Sequence, residues 1–193
     1  MIFVPSILAF GVIVAAYVNL GAKLATLRHD GVLKRIRTTP LPAAAYLSGV
    51  LGSTAATTLA ITACTALIGW LAFGAVPRAA GLPEIAGGLA LGVVCFGSLG
   101  LALSSVARSA ESASPIANAS YLPVAIMSGI FDPTFSVPRW LSAVVGLLPV
   151  RALAQLLQHG YTPVARAPLT DLLVLAGWAV GGCALAAWRF RWH

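Results

Sequence analysis

Charged residues are the scarcest component of this sequence. They make up 9% of its 193 residues, while hydrophobic residues make up 59%. In soluble domains, roughly a quarter of all residues are charged. The balance excludes an ordinary soluble domain and predicts an integral membrane protein. The alternation of polar and apolar residues that marks the strands of a membrane barrel is also missing. We therefore predict an all-α, polytopic membrane helical bundle.

The residues that would build a catalytic or metal site are equally scarce. No phosphate-binding loop of the form G-x-x-x-x-G-K-[ST] occurs, so we expect the chain to bind and hydrolyse no ATP of its own. The three histidines show no metal-ligand spacing, and the predicted spans have essentially no ionisable residue, which argues against ion coupling. We predict no cofactor, no metal and no disulfide. Three cysteines lie in apolar segments and are interpreted as small buried hydrophobes, namely Cys64, Cys95 and Cys183.

Apolar runs long enough to cross a bilayer fill most of the chain and form a single transmembrane domain, residues 1–193. No basic region precedes the first run, so it is predicted to be a membrane helix and not a secretory signal. Lys23 is expected to close that first span. The five predicted spans are Ile2–Ala22, Ala44–Phe73, Ile85–Val106, Pro115–Phe131 and Leu169–Trp188.

The stretch Lys23–Pro42 separates the first two spans and contains five of the twelve basic residues. At 100° per residue it predicts a short amphipathic helix that the two prolines end. One half carries Arg28, Asp30, Lys34, Arg35 and Arg37, and the other carries His29, Val32, Leu33 and Ile36. Two interpretations stay open, a positive loop that only sets topology and a docking surface for a soluble partner.

The distribution of basic residues predicts the orientation of the chain. If Lys23–Pro42 is cytoplasmic, eight basic residues lie inside and four lie outside, which agrees with the positive-inside rule. The loop and the C-terminus are then inside and the N-terminus is outside. Because the basic residues adjoin membrane segments and do not interleave with aromatic ones, we predict no nucleic-acid partner.

The region Asp132–Pro168 is too short in its apolar parts to add a span. Trp140–Leu148 lies between two prolines and reaches only about half of a 30 Å hydrocarbon core. After Pro149, three leucines share one face of a second short amphipathic helix that ends near Gly160. We predict two outer re-entrant half-helices beside a pathway. The alternative is two helices lying on the outer leaflet.

Polar residues inside the spans are candidates for lining a translocation path. Four threonines of the second span, Thr54, Thr58, Thr62 and Thr65, fall on one helical face. Their hydroxyls either bond to carbonyls one turn earlier or face another helix or the path. Asn118 is the single amide in the centre of the later spans, and a bond to another helix is favoured over a bond to substrate.

Two strings in the sequence resemble the type-2 ATP-binding-cassette (ABC) exporter permeases. The string from Asp30 to Leu41 resembles their cytoplasmic coupling loop, which usually has an acidic-Gly-Thr-Leu-Glu-x-Leu-x-x-Thr-Pro-Leu form. Ser128–Pro133, followed by Val137–Leu141 and Leu148-Pro149, is similar to their outer re-entrant segment. The resemblance assigns an ATPase-coupling helix to Arg28, Gly31, Val32, Leu33, Lys34, Arg35, Ile36, Thr39 and Pro40.

The resemblance implies a transport subunit of the cell membrane that is not itself an enzyme. It would export a drug, an antibiotic or a lipid-like substrate, together with a cytoplasmic ABC ATPase that binds the ATP and with a second permease copy, among membrane lipids. Lys34 departs from the family pattern, which often has an acidic residue there. Such permeases usually have six spans, so a chain with five resembles one shortened by its first span. The competing class is a non-transporting membrane scaffold, and a membrane-embedded enzyme fits least.

Overall fold

Helices account for nearly all of the structure, a computed structural model that describes residues 3–30, 43–106, 110–128, 130, 138, 144–162 and 168–189. No strand occurs in these ranges, which confirms the predicted all-helical bundle. A π-helical turn, Val14–Asn19, joins the first two helices, and a 3₁₀ turn, Ala79–Gly81, precedes the fourth. The helices are Phe3–Ile13 (α1), Leu20–His29 (α2), Ala43–Phe73 (α3), Leu82–Val106 (α4), Ala110–Met127 (α5), Pro149–Tyr161 (α6) and Pro168–Arg189 (α7).

The first span is longer than the sequence predicted. α1, the π turn and α2 form one continuous helical segment, Phe3–His29, so Lys23 does not end it. Helical hydrogen bonding continues to Asp30, whose N–H donates to the carbonyl of Thr26. Arg28 belongs to the last turn of α2, where a positive side chain complements the helix dipole. Arg28, the first residue assigned to the coupling helix, therefore belongs to α2.

Four helical segments of the described residues are long and apolar enough to cross a membrane, namely Phe3–His29, Gly49–Phe73, Ala79–Ser104 and Leu169–Ala186. The fourth predicted span, Pro115–Phe131, corresponds to α5, which is 18 residues long and so about 27 Å. α5 does not join the other four because Glu111, Asn118 and its serines lower its apolar content. The protein is thus a multi-pass, membrane-embedded helical bundle.

The short helix α6 lies inside the bundle. It contacts α1, α4 and α7, and its Leu153, Leu156 and Leu157 are fully buried. Pro149 occupies the first turn of α6, where a missing N–H costs no helical bond. A helix enclosed by three others does not lie on an outer surface, which favours the re-entrant interpretation. The first four residues of the other predicted half-helix, Trp140–Leu148, lie outside the described residues.

The end of the bundle opposite Asp30 is called the far end below. There the 3₁₀ turn crosses the last turn of α6, and the N–H of Arg78 donates to the carbonyl of Gly160 at 2.9 Å. A Cβ on Gly81 would come within 2.6 Å of the Gly160 Cα. Because both residues are glycines, the two backbones touch at this crossing, which holds α6 to the start of α4.

Candidate functional site

A cavity of about 400 Å³ opens between the π turn and helices α4 to α7. Its wall is apolar, and the described residues of the wall include no Asp, Glu, Lys, Arg or His. Small-molecule sites are typically concave and apolar with a few placed polar groups. The wall consists of Tyr17, Phe96, Leu99, Ala102, Leu103, Ser120, Tyr121, Val124, Leu148, Pro149, Val150, Trp178 and Leu185.

One hydrogen bond joins two helices across this cavity. The hydroxyl oxygens of Tyr17 and Ser120 lie 2.7 Å apart. The Ser120 hydroxyl also donates to the carbonyl of Ala117 at 2.7 Å. A serine hydroxyl has a single hydrogen, so whenever Ser120 donates to Ala117 it accepts from Tyr17. The pair ties the π turn to α5 at the edge of the cavity, where Ser120 is exposed.

The π turn positions Tyr17. A π turn inserts one extra residue into a helix and frequently occurs at functional sites. Here it lies on α4, where a Cβ on Gly100 would come within 2.9 Å of the Tyr17 carbonyl and 3.0 Å of the Ala16 carbonyl. The ring of Tyr17 meets that of Tyr121 edge to face at 6.4 Å, and Tyr121 also contacts Phe10 at 6.0 Å. Backbone and ring contacts together hold this wall of the cavity.

A second cavity, of about 620 Å³, lies along the outer side of α7. It shares Leu99, Trp178 and Leu185 with the first cavity. The indole N–H of Trp178 donates to the carbonyl of Leu147 at 2.7 Å, and this bond fixes the indole at the boundary between the two spaces. Trp178 thus separates the first cavity, called the central cavity below, from the second cavity, which is an apolar groove on the bundle surface.

The family model of the ABC-2 type transporters matches residues 1–161 of this chain. The chain belongs to this family. It is the transmembrane component of an ABC transporter, which confirms the resemblance seen in the coupling-loop and re-entrant strings. The matched range includes every part of the cavity wall except the residues of α7. In the comparison with curated proteins, no sequence matches the chain.

The predicted coupling helix of this ABC-2 permease is described only at its start. Arg28 is half-buried in the last turn of α2. The remaining coupling residues, Gly31, Val32, Leu33, Lys34, Arg35, Ile36, Thr39 and Pro40, lie outside the described residues. The coupling assignment stays a prediction.

The four threonines of α3 all bond within their own helix. Each hydroxyl donates to the carbonyl four residues earlier, at 2.8 to 2.9 Å. Thr58 and Thr62 are buried, on the same side of α3 as Gly69, whose position adjoins Val4 of α1. The walls of the two cavities do not include any of the four. Each hydroxyl hydrogen is therefore used in a bond to a carbonyl one turn earlier, as the first of the two interpretations predicts.

Asn118 lies on the exposed side of α5 in the chain. Ala117 and Tyr121, which face inward, are buried. No hydrogen bond joins Asn118 to another helix among the residues that the structure describes. The walls of the two cavities do not include Asn118 either. The polar residues of α5 that reach the site are Ser120 and Tyr121, which the sequence analysis did not single out.

A buried contact between a histidine and an aspartate at the far end was also missed. The Nε2 of His159, in the last turn of α6, lies 3.8 Å from the Oδ2 of Asp171, in the first turn of α7. Both residues are buried, whereas the sequence analysis treated the spans as essentially free of ionisable groups. Burying a carboxylate is costly unless a partner offsets the loss of water. The signal that could have revealed this contact was the position of Asp171, an acidic residue near the start of an apolar run.

Proposed function

We propose that this ABC-2 permease exports an amphipathic small molecule of the drug, antibiotic or lipid class, through a path that includes the central cavity. The observation that carries the proposal is the apolar, aromatic-lined cavity between helices of a transport protein. A path for ions or sugars needs rings of polar or charged groups, and the described wall has only hydroxyl and indole groups. The wall matches a cargo that is itself largely apolar.

The energy for transport comes from a separate cytoplasmic ABC ATPase in this proposal. The loop after α2 contains the amphipathic string with Val32, Leu33 and Ile36 as its apolar ridge. α2 connects this loop to the π turn that bears Tyr17. A displacement of the loop by the ATPase would therefore reach the cavity wall along one continuous helix. A second permease copy completes the transporter.

Reconstitution with the cognate ATPase tests the proposal. Proteoliposomes containing both proteins should move an amphipathic fluorescent cargo when ATP is added, and the permease alone should hydrolyse no ATP. A membrane scaffold would be inserted normally but would support no ATP-dependent movement. Cargo movement that does not require ATP, or ATP turnover by the permease alone, would contradict the proposal.

Substitutions in the loop separate coupling from simple topology. Burying an apolar ridge side chain contributes about 1.5–3 kcal/mol, whereas an exposed ion pair contributes about 1 kcal/mol or less. Leu33→Asp or Ile36→Asp should therefore abolish association with the ATPase and leave membrane levels unchanged. Arg35→Ala should weaken association modestly and in a salt-dependent way, because salt screens the ion pair that the variant loses. If the loop only sets topology, the Arg35 variant disturbs insertion and the apolar variants are silent.

A further inference from the structure

We propose that the phenol of Tyr121 is the polar contact for cargo in the central cavity, where it hydrogen-bonds a carbonyl or hydroxyl group on an otherwise apolar molecule. The inference deepens the proposed function and rests on it for its biological role. It names one residue of the site and the chemistry that this residue recognises. The polar groups of the wall, compared one by one, carry it.

Four side chains of the described wall have a hydroxyl or an indole N–H, and three of them form hydrogen bonds within the protein. Tyr17 and Ser120 bond to each other, with their oxygens 2.7 Å apart. The indole N–H of Trp178 donates to the carbonyl of Leu147. The hydroxyl of Tyr121 forms no hydrogen bond with any residue that the structure describes. It is therefore available to a ligand, as a donor or as an acceptor.

The available hydroxyl belongs to a side chain that is buried in the bundle. Tyr121 is 7% exposed, and Ala117 and Ala125, one turn before and after it on the same face of α5, are fully buried. Buried tyrosine hydroxyls usually have a partner, because a hydroxyl removed from water without one costs free energy. A phenylalanine at this position would keep the ring and avoid the cost. The hydroxyl is thus unfavourable for the fold by itself, and binding of a ligand explains it.

Ring contacts fix the position of this phenol. The ring of Tyr121 lies 6.0 Å from that of Phe10 and meets that of Tyr17 edge to face at 6.4 Å, and both distances are in the range of favourable aromatic pairs. The π turn that bears Tyr17 is itself held against Gly100 of α4. Because the ring is packed in this way before a ligand binds, little conformational entropy is lost when the hydroxyl forms its bond.

Binding of matched probes to the purified full chain in lipid nanodiscs tests the proposal. The probes share one apolar body: 4-acetylbiphenyl adds a carbonyl, 4-hydroxybiphenyl adds a hydroxyl, and biphenyl adds neither. Tyr121→Phe removes the hydroxyl of the protein and keeps the ring. We expect this variant to bind the two polar probes about 3- to 10-fold more weakly than the wild type and to bind biphenyl equally well. Unchanged affinity for both polar probes, as expected if Tyr121 bonds only water, would overturn the proposal.

The stability of the protein without a probe separates a ligand-binding hydroxyl from a structural one. If the hydroxyl has no partner within the fold, Tyr121→Phe should keep or raise the midpoint of thermal unfolding in detergent. A lowered midpoint would show that the hydroxyl stabilises the fold and would overturn the proposal. The matched control is Tyr161→Phe, which removes a phenol outside the cavity wall and should leave the affinities for all three probes unchanged. An equal loss of polar-probe affinity in this control would also overturn the assignment.

Tyr17→Phe decides between the two phenols of the wall. The hydroxyl of Tyr17 already has Ser120 as its partner, so a ligand gains less from it than from the hydroxyl of Tyr121. We therefore expect Tyr17→Phe to weaken binding of the polar probes less than Tyr121→Phe does. A larger loss in Tyr17→Phe would place the polar contact at Tyr17 and Ser120 and would overturn the proposal.

These binding measurements need neither ATP nor the ATPase, so they can fail independently of transport. A loss of polar-probe binding in Tyr121→Phe, with no ATP-dependent movement by the wild type, would contradict the proposed export and support the binding residue. ATP-dependent export by the wild type, with equal probe binding by the two proteins, would contradict the binding residue and support the proposed function.

Discussion

The helices α3 and α6 differ in a way that contradicts intuition from soluble proteins. α3 is the longest helix and its candidate span is strongly apolar, yet only 17% of that span is buried. α6 has 13 residues and a clear polar face, yet its leucines are fully buried among three helices. In a membrane, lipid chains are as apolar as a leucine side chain. Apolarity therefore places a helix in the membrane, while length and packing partners decide which helix occupies the centre.

The largest expected difference in the free energy of unfolding comes from truncating a leucine in α6 and a leucine in α3. Leu156→Ala in α6 leaves a void among packed side chains and should lower the free energy of unfolding by about 2–5 kcal/mol. Leu71→Ala in α3, where the leucine is 71% exposed, should change it by about 0.5 kcal/mol or less. Unfolding of both variants by detergent titration measures the difference. Equal losses would show that the comparison between α3 and α6 is wrong.

A pair of glycines gives the next largest contrast. Gly100→Ala forces a Cβ against the carbonyls of the π turn and should cost about 1–3 kcal/mol. The matched control is Gly52→Ala in α3, because a Cβ at Gly52 meets nothing within 4 Å. Alanine favours helix over glycine by about 1 kcal/mol, so this variant should be neutral or stabilising. Thermal unfolding in detergent ranks the two, and a stabilised Gly100→Ala protein would refute the close contact.

The contact between His159 of α6 and Asp171 of α7 predicts an energetic coupling. A double-mutant cycle with His159→Gln and Asp171→Asn should give a coupling energy of about 0.5–3 kcal/mol, because both side chains are buried and each offsets part of the other's loss of water. A coupling energy of zero would rule out an energetic role for the contact.

The smallest expected effect concerns the threonine face of α3. Thr58→Val removes a hydroxyl that bonds within its own helix, so the free energy of unfolding should change by about 0.5 kcal/mol or less. Thr58→Ser, which keeps the hydroxyl, is the control. Cargo transport measured beside stability then tests the path hypothesis. Transport lost in Thr58→Val and kept in Thr58→Ser, at unchanged stability, would place this hydroxyl in the path.

Patterns that extend over one helix were predictable. The length of apolar runs predicted the spans, and the spacing of Leu153, Leu156 and Leu157 predicted an amphipathic helix near Gly160, which ends at Tyr161 in the structure. The π turn was not predicted, because one extra residue in a helical turn changes neither composition nor periodicity in a detectable way. The extension of the first span to His29 was missed because charge was taken as its end, although a helix continues until its backbone hydrogen bonds stop.

The sequence by itself determined that this protein lies in a membrane, that it is helical, and that it resembles the ABC-2 permeases. These properties follow from local composition and periodicity, which each segment carries independently of the others. Only the tertiary structure decided which polar groups meet. Tyr17, Ser120 and Trp178 are far apart in the chain, and His159 of α6 meets Asp171 of α7. Their convergence depends on how the helices pack, and packing in a membrane depends on close backbone contacts such as Gly81 against Gly160 and Gly100 against the π turn.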